Sequence, residues 1–304
     1  MRVFITGATG FIGRAVTKHL LDTGHRVTAL VRDQPKARTL LGTDLELVPA
    51  GNPVALQETV ATVDAIINLA GTPIIGPRWT TQRKRMIVDS RVALTRTIVA
   101  AITGSARRPS VLISASAVGY YGDCGDAIVE DNAPAGNDFL ATLCRDWETA
   151  ALEANTSGVR VFIPRIGIVL GREGGALAKM ITPFRFGLGG PIGSGRQYMP
   201  WIHLQDLVAL IIRALEDPRC EGPLIAAAPN PVTNGAFTKA IGRALHRPTF
   251  ARVPAFALRL LLGEAATPFL TGQRARPRRL EELGFVWRYP TIDAAIANIL
   301  CQPR

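Results

Sequence analysis

Apolar positions along the chain fall into short blocks whose spacing alternates between strand-like and helix-like periods. Residues 3–6 are a β-branched and aromatic run, followed by three glycines and, over 14–22, by apolar side chains at helical spacing. Gly24 closes that helix, and 25–31 reads as a second strand. A short third strand is expected at 45–49, a helix at 53–60, and a buried strand at 64–69 that runs into Ala70-Gly71. Residues 80–102 carry one long amphipathic helical pattern, and 110–114 are a further apolar strand. A helix is expected at 139–154, strands at 160–163 and 166–170, and a helix at 206–214 after Trp201-Ile202-His203. Strands and helices alternating at this spacing specify an α/β chain, with a doubly wound parallel sheet covered on both faces.

Composition shifts at two places. Residues 171–197 are dense in glycine, which argues against a continuous helix and for a loop near a ligand. After about residue 248 the chain turns rich in Pro and Arg, with helical stretches at 255–263 and 291–300. The expected organisation is a nucleotide-binding domain over 1–248 and a small C-terminal domain over 249–304. Residues 171–200 are expected to contribute to the same smaller, mostly helical substrate lobe as the tail. With 304 residues, 47% of them hydrophobic, there is ample material for a core, so a mostly disordered chain is excluded. No apolar run reaches the roughly 18–20 residues needed to span a bilayer, and a strand begins at once. A cytoplasmic protein with no membrane partner is therefore expected.

Charge and cysteines narrow the chemistry only a little. Lys and Arg number 35 against 24 Asp and Glu, a net charge of +11. That balance permits polyanion binding, but Arg274, Arg276, Arg278 and Arg279 lack the interleaved aromatics that base stacking needs, so no nucleic-acid partner is expected. Cys124, Cys144, Cys220 and Cys301 are scattered, and His19, His25 and His246 form no cluster, so free thiols and no metal site are expected.

Chemistry starts at the first turn. Thr6-Gly7-Ala8-Thr9-Gly10-Phe11-Ile12-Gly13 stands between a strand and a helix, with glycines at i, i+3 and i+6. The first glycine allows a tight turn, the second a close approach to a pyrophosphate, and the third close packing of helix on strand. This is the dinucleotide-binding context of a Rossmann fold. Arg32 stands 19 residues beyond Gly13, where an acidic residue would select NAD and an arginine the 2′-phosphate of NADP. Arg32 therefore favours NADP(H) over NAD(H), with Asp33 as the competing ribose partner.

TGATGFIG, Asn68-Leu69-Ala70-Gly71, SASAVGYYG over 114–122 and Trp201–Asp206 resemble the extended short-chain dehydrogenase/reductases, the NAD(P)-dependent epimerase/dehydratase proteins. Arg78-Trp79, Ser90-Arg91, Phe139-Leu140-Ala141, Cys144, Trp147-Glu148, the 165–171 and 183–197 motifs and the tail from about 250 resemble an atypical subgroup with a C-terminal domain of unknown function. The resemblance covers essentially the whole chain. It implies an NADP(H)-binding oxidoreductase in which Asn68, Leu69, Ala70, Gly71, Ser114 and Arg165 join Thr6, Gly7, Thr9, Gly10, Phe11, Ile12, Gly13 and Arg32 around the cofactor. It also makes a homodimer through 80–102 and 139–154 an expectation.

The family's Tyr-x-x-x-Lys pair is missing. Phe139 stands where the tyrosine acid would be, and Leu143 four residues later in place of the lysine. The replacements are sought in the loop after the fifth strand, where Ser116, Tyr120 and Tyr121 are the candidate catalytic residues, with Arg165 or Arg91 as the neighbouring cation. Gly190, Arg196, Gln197 and His203 are candidate substrate contacts, with 189–197 read as an anion cradle or a lid and His203 also as a helix cap. Cys144 reads as a packed thiol. Two functions stand: hydride transfer to or from a small carbonyl or hydroxyl compound, or NADP(H) binding by a sensor that has lost its chemistry.

Overall fold

Seven parallel strands make the central sheet: β1 (Arg2–Thr6), β2 (Arg26–Val31), β3 (Glu46–Pro49), β4 (Ala65–Asn68), β5 (Val111–Ser114), β6 (Arg160–Ile166) and β7 (Gly222–Ala226). Their order is β7-β6-β5-β4-β1-β2-β3, and the two-residue strand Ser116–Ala117 pairs with the end of β6. A computed structural model describes residues 1–301, with backbone only at Ala176, Lys179 and Cys301. The chain leaves β1 in one direction and returns at β4 in the other, so the carboxyl ends of β1 and β4 flank the topological switch point. Thr6 pairs with Asn68, and Asn68 with Ser114, so three polar residues end three adjacent strands at one level.

Period-two alternation sorts the sheet's side chains onto two faces. Val3, Ile5, Ala65, Ile67, Val111 and Ile113 share one core with Val16 and Leu20 of α1 (Phe11–Asp22). Phe4, Ile66 and Leu112 share the other with Leu56 and Val60 of α3 (Pro53–Val60), which follows α2 (Gln34–Leu41). The pattern over 80–102 does not give one helix. It folds as α4 (Thr81–Val88) and α5 (Leu94–Thr103), joined by a π-helical turn at Asp89–Ala93. Period alone cannot reveal one extra residue inserted in a helix. Next comes α6 (Phe139–Leu152), whose Leu143, Trp147 and Ala150 join the first core and Ala151 the second.

The glycine-dense segment also differs from expectation. Its glycines cluster towards the two ends, and α7 (Gly175–Arg185) starts on the last glycine of the first cluster and runs through the stretch between them, with Pro183 inside it. β6 runs through to Ile166, and the chain then turns at Gly167. Ile168–Leu170 pairs there with Trp201–His203, outside the main sheet. α8 (Leu204–Glu216) packs its Leu207, Leu210 and Ile211 on the first core. A helix not anticipated, α9 (Asn234–Leu245), is capped by the Thr233 side chain, which accepts from the Ala236 amide.

The tail supplies α10 (Ala255–Leu262), α11 (Thr267–Leu270), α12 (Arg278–Glu282) and α13 (Ile292–Cys301). Ile292, Ile296 and Ile299 of α13 complete a lobe core built with Leu177, Ile181, Phe184, Trp201, Phe237 and Ile241. Leu280 and Phe285 instead reach the main core, so the tail is stitched to both parts. Asp206 fixes it further, because its carboxylate accepts from the Arg288 and Tyr289 amides at 2.8 and 3.1 Å. Among the described residues, no helix is long and apolar enough to cross a membrane, and no group of His, Cys, Asp and Glu could hold a metal ion.

Candidate functional site

The first turn is shaped by contacts that only glycine permits. Gly7 has φ +73°, and a Cβ there would lie 2.7 Å from the Leu69 carbonyl carbon. A Cβ on Gly13 would run into the Gly7 carbonyl oxygen, so α1 and β1 cannot pack this way with any side chain at 13. Helix α1 starts at Gly10 with no side-chain cap and no acidic residue in its first turn. The Arg14 amide is the first to bond back, to Gly10 O at 2.9 Å. The amides of Phe11, Ile12 and Gly13 find no backbone acceptor among the described residues, which leaves a positive helix end open to an anion. The Phe11 ring is turned away and packs on the Gly171–Gly175 turn, where a Cβ at Gly171 or Gly174 would come within 2.7 Å of it.

Thr6, Asn68 and Ser114, expected around the cofactor, end three adjacent strands at the crevice floor. Their side chains are engaged with one another beneath the crevice. The Thr6 hydroxyl donates to Asn68 Oδ1 at 2.6 Å, and Asn68 Nδ2 donates to Thr95 Oγ1 at 2.8 Å and Ser114 Oγ at 3.2 Å. All three are fully or almost fully buried. They lock the strand ends in register and hold the Leu69–Gly71 backbone beside Gly7. At the end of β2, Arg32 is exposed and Asp33 is the N-cap of α2, accepting from the Lys36 amide at 3.0 Å. The competing carboxylate is therefore occupied by a helix cap, while the arginine is available.

Behind the loop after β5 lies a buried ion-pair network. Arg165 donates through Nε and Nη2 to both oxygens of Glu148, at 2.9 and 2.8 Å, and through Nη1 to Tyr121 Oη and the Asp131 carbonyl, each at 2.9 Å. Ser116 donates to Glu148 Oε1 at 2.6 Å. The Tyr120 ring lies face-on over the guanidinium, 3.5 Å from Cζ to centroid. Burial opposes the Arg165 charge, but the bidentate carboxylate outweighs it and holds the group protonated above the usual range. Arg165 thus braces the loop after β5 against α6.

This network divides the three catalytic candidates. Burial raises the Tyr121 hydroxyl above the ordinary phenol range despite the nearby Arg165, and that hydroxyl donates to the Asp131 carbonyl at 3.2 Å. The single donor of Ser116 is committed to Glu148. Tyr120 remains, half-buried, with its ring fixed and no hydroxyl bond to a described residue. Asp131 is the residue that sequence reasoning passed over, and Glu148 entered it only as part of the Trp147-Glu148 motif. Asp131 also accepts from the Ile225 amide at 2.6 Å and the Arg279 amide at 2.9 Å, tying loop, sheet and tail together. The Trp147-Glu148 pair, one turn after Cys144 on a buried helix face, was the only available signal.

Around Phe139 the vacated tyrosine place is aromatic and cationic. Trp79 meets the Phe139 ring edge-on at 5.2 Å, and Lys84 Nζ stands 5.0 Å from its centroid while pairing with Glu264 of the tail at 2.6 Å. Arg78 donates to the carbonyls of Leu260 and Leu261, so the start of α4 clasps α10. Deeper down, Arg91 lies over Gly71 and 5.3 Å from the Trp147 ring, and burial lowers its pKa to about 10. Cys144 is buried, its pKa pushed up to about 12 mainly by burial, as a packed thiol should be.

The loop over 189–197 is not an open anion cradle. Its Ile192, Gly193, Gly195 and Arg196 amides are bound to Asn234 Oδ1, Val253 O, Ile192 O and Ser194 Oγ. A Cβ at Gly190 would strike the Ala251 backbone, and Gln197 Nε2 donates to Ile192 O and Phe269 O at 3.0 and 2.9 Å. Both residues weld the loop to the tail, and only the exposed Arg196 side chain stays available. His203 is brought elsewhere: it is 3% exposed, caps α8 by accepting from the Gln205 amide, and stacks 3.9 Å from Tyr289. Its pKa falls to about 4, chiefly through burial.

Comparison with known proteins agrees with this geometry. Residues 3–224 match the NAD dependent epimerase/dehydratase family, and 253–299 a domain of unknown function (DUF1731). The chain is 43% identical over 303 residues to the chloroplastic epimerase family protein SDR39U1 homologue of Arabidopsis thaliana, covering 99% of this chain and 87% of that protein. An epimerase family protein of Mycobacterium bovis is 42% identical over 302 residues, covering 99% and 98%. The crystal structure of human epimerase family protein SDR39U1 with NADPH matches at TM-score 0.88 and 34% identity, covering 100% of both chains. The glycine turn, the switch-point crevice and the tail all lie within these matches: the chain belongs to the NAD-dependent epimerase/dehydratase family.

Proposed function

We propose that the chain is an NADP(H)-dependent oxidoreductase acting on a small carbonyl or hydroxyl compound held between the carboxyl ends of the sheet and the C-terminal lobe. One observation carries the reading: an uncapped helix start at a glycine turn, one strand away from an exposed arginine whose acidic neighbour is occupied as a helix cap. Pyrophosphate fits the free amides of Phe11, Ile12 and Gly13, and a 2′-phosphate fits Arg32. A human relative solved with NADPH supports that choice. The bound dinucleotide supplies or accepts a hydride.

The chain's own part is to orient the substrate and to handle one proton. Tyr120 is assigned that proton, since Tyr121 and Ser116 have theirs committed within the protein. Arg165 holds the Tyr120 ring, and Glu148 holds Arg165. A second reading, a dinucleotide-binding sensor without turnover, is favoured by the same two committed hydroxyls and by Phe139 and Leu143 in the acid and lysine places.

Turnover of NADPH against a panel of aldehydes and ketones separates the two. The enzyme reading expects a carbonyl compound that consumes NADPH, with turnover falling about 100-fold in Tyr120→Phe, the low end of general-acid contributions, and little in Tyr121→Phe. Tight NADPH binding with no turnover across the panel supports the sensor.

A further inference from the structure

Two arginines lie near the crevice, Arg165 buried and Arg91 half-buried, and the fold treats them oppositely. Arg165 is matched by a bidentate carboxylate. Arg91 is not. Its Nη1 donates to the Thr72 and Ile87 carbonyls at 3.0 and 3.3 Å, and no ion pair to it is formed among the described residues. Of the groups acting on it, the Cys144 thiol favours its charge and Arg83, of the same sign, opposes it. A guanidinium taken out of water without a counter-charge is costly, and a fold keeps one only where something else compensates it.

The geometry around Arg91 is that of a built seat. The residue lies in the π-helical turn Asp89–Ala93, an insertion that re-aims side chains and recurs at functional sites. Its guanidinium rests on Gly71, where a Cβ would come within 2.8 Å of Cζ and 2.9 Å of Nη2. Its Nε and Nη2 make no hydrogen bond to a described residue, so the edge that can fork onto two oxygens is the free one. Gly71 follows β4 by three positions, and the Leu69 backbone before it touches Gly7, so this edge stands at the switch point.

We propose that Arg91 is the fork of an oxyanion site, and that its occupant is a carboxylate or phosphate carried by the substrate. The inference deepens the oxidoreductase reading and rests on it. The dinucleotide's own phosphates have seats elsewhere, at the start of α1 and at Arg32 on the far side of β1 from β4. Beyond the pyrophosphate, on the side away from Arg32, a dinucleotide presents a ribose and a nicotinamide that is neutral or positive, neither of which neutralises a guanidinium. Leu143 and Phe139 on the facing helix bring no charge, and Lys84 is already paired with Glu264. The substrate class is thus narrowed to carbonyl or hydroxyl compounds bearing an acidic group.

The test is thermal unfolding of the NADPH-saturated protein, titrated with inorganic phosphate or with oxalate at constant ionic strength against chloride. NADPH keeps the helix seat filled, so a response reports another site. A saturable rise in Tm is expected for the wild type, absent in Arg91→Gln and shifted to roughly tenfold higher anion concentration in Arg91→Lys, which keeps the charge but loses the fork. Both variants should bind NADPH within about twofold of the wild type. Without ligand, Arg91→Gln should melt no lower than the wild type, because a half-buried charge without an ion-pair partner has been removed; a bracing residue would show the reverse. The proposal is overturned if phosphate and oxalate leave the wild-type complex unmoved, if Arg91→Gln keeps the response, or if that variant loses NADPH affinity tenfold. The last result hands the anion to the dinucleotide. Failure of the wild type to bind NADPH at all sinks the underlying reading instead.

Discussion

Glu148 decides what its neighbours can do, because it accepts the Ser116 hydroxyl's hydrogen bond and neutralises Arg165 at once. Replacing it by Gln leaves a guanidinium that is 4% exposed without its charge partner. Glu148→Gln should cost about 3–5 kcal/mol of stability in urea unfolding, the usual consequence of breaking a buried pair on one side. A loss below about 1 kcal/mol would show that water reaches the network. His203 gives a pH prediction. Its pKa is about 4 folded, against an ordinary 6.5 unfolded, so between those values only the unfolded chain takes up the proton. Its contribution is complete above pH 6.5 and is lost progressively as pH falls toward 4. His203→Gln should flatten the stability profile across that window, and an unchanged slope would place the histidine in water.

At the scale of elements, the first turn makes the sharpest demand. Gly13→Ala sets a methyl group against the Gly7 carbonyl oxygen and 2.8 Å from the Ala8 Cα, which forces α1 off β1. We expect about 1–3 kcal/mol of destabilisation, and NADPH affinity reduced at least tenfold. Equal affinity in the variant would mean that the helix end is not the phosphate seat. The same element was legible in the sequence, because turn, strand and helix are local and each residue type has one conformational reason to be there. The sheet was legible too, since alternate residues of β1 and β4 divide between two faces. The π turn was hidden because one extra residue barely alters an apolar period, and α9 because its start lies among glycines and prolines. α7 was mistaken for loop by averaging over glycines that stand at its ends. The Ser116–Glu148–Arg165 network was invisible for another reason: its members are brought together by sheet order, and no local pattern records that Glu148 faces β6.

On the scale of the molecule, the tail is part of one folded unit. Leu280 and Phe285 sit in the main core, the isoleucines of α13 in the lobe core, and Asp206 holds the Arg288 and Tyr289 amides between them. Unfolding followed by tryptophan fluorescence and by circular dichroism should therefore show one coincident transition, and two separated transitions would contradict the account. Removing residues 253–304 should leave the remaining chain unfolded rather than a stable nucleotide-binding domain. The central claim is that this molecule is organised around NADP(H). It is tested most directly by titrating the protein with NADPH and NADH by nucleotide fluorescence, and repeating both on Arg32→Ala. The account predicts that NADPH binds more tightly than NADH, and that the variant loses roughly 10- to 100-fold in NADPH affinity, the worth of a charge-assisted phosphate contact, while NADH binding stays as it was. Equal affinity for the two nucleotides in the wild type, or an NADPH affinity indifferent to Arg32, would contradict it.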